Sequence, residues 1–79
     1  MAFYIEIEKS TENDVVATYR YWSVENDCGE FEINKQSGEV KLLIQANGDR
    51  QGHLFNRAAL KVMRGWKQGK LPDKTVWAS

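Results

Sequence analysis

Polar and apolar positions alternate at the start of the chain. Phe3, Ile5 and Ile7 fall on one side, and Tyr4, Glu6 and Glu8 on the other. Period two with β-branched and aromatic residues predicts a half-buried strand over 2–8. Lys9 to Asp14 is polar and reads as a turn. A second strand is predicted over 15–24, and its facing has two readings. Val15, Ala17, Tyr19 and Tyr21 form one side; Val16, Thr18, Arg20, Trp22 and Val24 form the other. The first set is assigned inward because the second carries Arg20. After a loop around Asn26-Asp27-Cys28, strand 29–34 turns Phe31 and Ile33 inward and Glu30 and Glu32 outward. Strand 39–45 then places Val40, Leu42 and Ile44 inward. Short turns between consecutive strands make an antiparallel meander.

Beyond Asn47-Gly48-Asp49 the period changes. Leu54, Phe55, Ala58, Ala59, Val62, Met63 and Trp66 recur at three and four, which predicts an amphipathic helix with Trp66 in the core. Asp49 or a near neighbour is expected to cap it, and Gly69 and Pro72 to end it. Gly65, costly inside a helix, is expected to allow close approach to the sheet. The tail Thr75-Val76-Trp77 is strand-like and could add an edge strand, with Trp77 tucked against the core. The apolar stripe of the helix and the apolar face of the sheet need each other. The expected fold is therefore α+β: a four-stranded antiparallel meander, then one C-terminal helix packed on one sheet face, in a single domain over 1–79. One helix leaves the second face open, with Tyr4, Glu6, Glu8, Arg20, Trp22, Glu30, Glu32, Lys41 and Leu43 on it.

The hairpin between the last two strands has a familiar grammar. Phe31-Glu32-Ile33-Asn34-Lys35-Gln36-Ser37-Gly38-Glu39-Val40 resembles the hairpin of cadherin repeats, which read Phe-x-Ile-Asp-x-x-Thr-Gly-x-Ile. The calcium-ligand motifs of that family are absent, and a helix follows where cadherins have strands. The resemblance implies a shared turn, with Gly38 at positive φ, and nothing about activity.

The chain has 79 residues, 42% of them apolar and 28% charged, which fits one small folded domain and excludes a multidomain enzyme. Eleven basic and eleven acidic residues cancel, but unevenly. Residues 1–48 hold four basic and nine acidic groups, net −5; residues 49–79 hold seven and two, net +5. Two explanations stay open: complementation between the halves, within the fold or between copies, or a basic half that faces a polyanion. The N-terminus lacks the basic flank and apolar core of a signal peptide, and no run reaches the roughly 18 apolar residues of a membrane helix. Cys28 is the single cysteine, so no internal disulfide can form, which favours a cytoplasmic setting.

Two surfaces are candidates for function. On the open sheet face, Tyr4, Arg20, Trp22 and Leu43 are the expected partner-binding residues, since aromatic groups in a polar rim are the usual composition of interaction hot spots. On the helix, Arg57, Lys61, Arg64 and Lys67 line one side at spacings of four and three, a possible polyanion-binding stripe that is also what any solvated helix face shows. No catalytic residue, metal ligand set or cofactor is expected. Cys28 has acidic neighbours that do not activate a thiol, and His53, the single histidine, has no second His or Cys pair. The Glu6/Glu8 and Glu30/Glu32 pairs lack an apolar pocket. The sequence therefore points to a non-enzymatic protein-interaction module. It would bind a partner in the manner of a small inhibitor or immunity-type protein, or associate with itself, the sheet half of one copy meeting the helix half of another. The alternative is a nucleic-acid-associated protein that uses the helix. No small-molecule ligand is implied.

Overall fold

The computed structural model describes residues 4–24 and 26–78. Its elements are β1 (Tyr4–Glu12), β2 (Val16–Trp22), β3 (Gly29–Asn34), β4 (Val40–Ile44), α1 (His53–Lys67) and β5 (Lys74–Ala78). All strand pairs are antiparallel, in the order β4-β3-β2-β1-β5. The meander and single helix match the sequence reading, and the tail adds a fifth strand at the β1 edge. Expected inward positions of β1–β3 are filled as expected: Ile5, Ile7, Ala17, Tyr19, Tyr21, Phe31 and Ile33 are all fully buried. Helix α1 covers this face with Ala58 and Val62, and Leu54, Phe55, Met63 and Trp66 pack around the edge of the core. Phe31 is its centre. Tyr19 stacks on it at 5.7 Å between centroids, Tyr21 tilts against it at 5.9 Å, and Phe55 meets it edge-on at 5.8 Å. Such pairs add stability beyond the apolar area they bury.

Four expectations need correction. The segment Lys9–Glu12, read as turn, continues β1. Asn13 makes the reversal compactly, its Oδ1 accepting the Val15 and Val16 N–H groups, so the strand runs on to Glu12. A bulge between Lys9 and Thr11 absorbs the register shift. Val15 precedes β2 and is 48% exposed. Ile44 is not inward. A bulge pairs Phe31 with Leu42 but Glu30 with Ile44, which turns Ile44 to the open side at 53% exposure. Finally, Gly65 does not make room for the sheet. A Cβ there would lie 2.6 Å from the Lys70 carbonyl oxygen, so the glycine lets the chain fold back against the helix end. The expected inward Phe3 lies outside the described residues.

The ends of α1 are fixed by specific groups. Asp49, buried, accepts the Leu54 N–H on Oδ1 at 2.9 Å and the Phe55 N–H on Oδ2 at 3.0 Å, two donors that the first helical turn cannot satisfy. At the other end Gly69, at φ 79°, lets its N–H reach the Trp66 carbonyl and the Lys70 N–H reach the Gly65 carbonyl, a Schellman closure. In the β3–β4 hairpin, Asn34 Oδ1 accepts the Gln36 and Ser37 N–H groups, and Gly38 sits at φ 78°. A Cβ at Gly38 would also strike the Trp66 ring, whose indole N–H is held by the Lys35 carbonyl at 2.7 Å.

Candidate functional site

With α1 packed on one side of the sheet, the register alone decides what the other side shows. Three rows cross the strands there. Lys74, Glu8, Arg20, Glu30 and Ile44 form the middle row. Val76, Glu6 and Trp22 form a second, towards one strand end. Thr18, Glu32 and Lys41 form a third, on the other side of the charges. Tyr4 lies beyond the second row, opposite Ala78, and is 60% exposed.

The sequence-predicted residues divide on this face. Tyr4, Arg20 and Trp22 come together around a shallow depression whose rim also holds Glu6, Val76 and Cys28. The Arg20 guanidinium lies over the Trp22 ring, 5.8 Å from its centroid, so the two form a single amphipathic unit. Leu43 is exposed but stands on the edge strand β4, with β3 between it and β2, so it does not join that depression. Val76 and Ile44 are the apolar members the sequence reading missed. Val76 depended on whether the tail joins the sheet. Ile44 depended on a bulge, and three apolar residues in succession, Leu42-Leu43-Ile44, give no period from which to infer one. The Lys74 Nζ stands 3.7 Å from a Glu8 carboxylate oxygen, a contact weakened by the exposure of both.

The helix stripe divides as well. Arg57 is partly buried at the helix start and donates to the His53 carbonyl at 3.4 Å. Arg64 lies over the Trp77 ring, 5.7 Å from its centroid, so it covers the half-buried tail aromatic. Lys61 lies between them, and Lys67 is exposed in the last turn. The four share the outer side of α1, yet Arg57 and Arg64 also serve the fold.

The remaining polar groups hold loops in place. Asp27 accepts the Asn47 and Gly48 N–H groups at 2.6 and 2.7 Å, tying the β2–β3 loop to the segment before the helix. With Asp49, Arg50, His53 and Arg57 it lines a cleft at the start of α1. At the opposite end of the molecule, Glu12 accepts from Lys9 at 2.6 Å and pairs with Lys35 at 2.7 Å; Lys9 also meets Asp73 at 3.1 Å. The bonds from Lys35 and Lys9 hold the Glu12 carboxyl down at about 2. The same bond from Glu12, ahead of Asp73, raises Lys9 against the opposing cost of burial. Tyr19 donates to the Pro72 carbonyl at 2.6 Å, and burial pushes its phenol up to about 12. Among the described residues, no three His, Cys, Asp or Glu side chains converge as metal ligands, and no helix is long and apolar enough to cross a membrane.

Compared with known proteins, the chain matches no family model, no curated protein and no solved structure at a significant level. The functional reading rests on the geometry above.

Proposed function

We propose that the protein is a small docking module that binds a protein partner, a different chain or a second copy of itself, through the open face of its sheet. One observation carries this reading: Trp22, Tyr4 and Val76 stand on a sheet face that the helix leaves uncovered, with Glu6 between Val76 and Trp22 and a charged border of Glu8 and Arg20 one row along. Covering an aromatic anchor removes apolar surface from water at roughly 25 cal/mol per Å². The charged border adds little affinity but selects partner and orientation. A five-stranded sheet presents these side chains from paired backbone, so binding orders side chains but no backbone segment. The reading requires no bound cofactor and no reaction, and it suits an intracellular setting in which Cys28 stays reduced.

The test is a comparative capture from lysate, with nuclease and without. The baits are the native chain, Trp22→Ala, and the double variant Arg57→Ala/Lys61→Ala. The expected result is a protein held by the native chain and the helix variant, kept after nuclease, and lost with Trp22→Ala. Capture that survives Trp22→Ala but vanishes with nuclease or with the helix variant would overturn the reading in favour of nucleic acid on α1.

A further inference from the structure

The middle row of the open face has a symmetry that identifies one partner for it. Reading across β5, β1, β2 and β3, the row runs Lys74, Glu8, Arg20, Glu30, plus then minus then plus then minus, on strands about 4.8 Å apart. Turned end for end, the same row reads minus, plus, minus, plus. A second copy laid face to face, with a two-fold axis parallel to the strands and midway between β1 and β2, therefore sets Glu8 against Arg20 twice and Lys74 against Glu30 twice. All four directly opposed charge pairs are attractive, and Ile44, the fifth member of the row, has no strand opposite it. Shifting the second copy by one strand puts like charges opposite, so the row also specifies register.

We infer that the open sheet face docks a second copy of this chain in that two-fold arrangement. The inference rests on the docking reading above and names the partner. One row from the charges, the same axis sets each Trp22 against Glu6 of the second copy, with the two Trp22 side chains on neighbouring strand positions either side of the axis. A two-fold contact uses one surface twice and closes at two chains. A sheet-against-helix contact, the other way to match the opposite charges of the two halves, joins unlike surfaces and has no such inherent closure. The size of the face sets the strength. The four overlapping strands, about 4.8 Å apart and about five residues long, cover on the order of 300 Å² per copy, well below a standard interface, so the dimer is weak and forms at high concentration.

The experiment is sedimentation equilibrium from 10 µM to 1 mM of chain at low salt, on the native chain, Glu8→Arg, Arg20→Glu, and an equimolar mixture of the two variants. The expected result is a reversible dimer for the native chain, self-association weakened by at least about tenfold in either variant alone, and a restored dimer in the mixture. Within each variant Glu8 and Arg20 become like-charged neighbours on one sheet, and mixing does not relieve that. Recovery in the mixture therefore reports contact between chains. Should either variant fail to fold, Lys74→Glu and Glu30→Lys make the same test at the outer positions. A native chain that stays monomeric throughout, a variant that dimerises as strongly as the native chain, or a mixture that does not recover overturns the inference. The capture experiment keeps the two readings apart: a monomeric chain that loses its captured protein with Trp22→Ala overturns self-association alone. Failure of the docking reading would instead show as capture indifferent to Trp22.

Discussion

The two faces of this sheet are built on the same backbone and differ at every other residue. On the covered side, Tyr19, Tyr21, Phe31, Ile5 and Ile7 are sealed under α1. On the open side, one residue along the same strands, stand Arg20, Trp22, Glu30, Glu6 and Glu8. A helix of 15 residues is about 22 Å long and can cover one face of a small sheet, so the other face must tolerate water. Most of the open face does so with charge and Thr18. The departures from that rule, Trp22, Tyr4 and Val76 in the depression with Ile44 towards the far edge, are where the open face carries more than solubility requires.

The largest effect should come from cutting the covered side. Phe31→Ala removes the ring that Tyr19, Tyr21 and Phe55 all touch, and should cost about 3–5 kcal/mol in denaturant unfolding. Its neighbour Glu30→Ala, on the open side, should stay within about 0.5 kcal/mol. Equal costs would break the distinction between the faces.

The next effect concerns how the cover is attached. Asp49→Ala leaves the Leu54 and Phe55 N–H groups without their acceptor and should cost about 1–2 kcal/mol. Gly65→Ala sharpens the account of the other helix end. Helix propensity alone predicts a gain of about 1 kcal/mol. The Lys70 carbonyl, 2.6 Å from the added Cβ, predicts a loss instead, and the sign of the change in thermal midpoint decides between them.

The smallest effect is a pH dependence remote from both faces. The Glu12 carboxyl, held at about 2 by Lys35 and Lys9, sits below its unfolded value, so its stabilisation is present at neutral pH. It is lost as pH falls through about 4.5 towards 2. Glu12→Gln should therefore be less stable than the native chain at pH 7 and match it near pH 2. A gap that persists in acid would remove the ion pairs as the cause.

Much of this was legible along the chain because period two and period 3.6 speak for themselves. The alternation through Ile5-Glu6-Ile7 and Phe31-Glu32-Ile33 needs a buried and an open face, and the recurrence from Leu54 to Trp66 needs one sheet to lie on. Tyr4 followed from that alternation, Arg20 and Trp22 from turning the side with a charged Arg20 outward, and the structure brings the three together. What could not be read depended on pairing between distant residues. The extension of β1 to Glu12 is supported by Lys35 and Asp73, far away in sequence. The outward turn of Ile44 depends on a bulge against Glu30, and the role of Gly65 on a carbonyl beyond the end of the helix. The division of the basic stripe has the same origin, since Trp77 reaches Arg64 only once the tail has joined β1.

The claim that one face holds the fold while the other docks is tested most directly at Trp22, by measuring unfolding free energy and partner capture on the same preparation of Trp22→Ala. The account predicts stability within about 1 kcal/mol of the native chain and loss of capture. A variant that unfolds would place Trp22 among the residues that hold the sheet together. A stable variant that still captures its partner would show that the open face is not the docking surface.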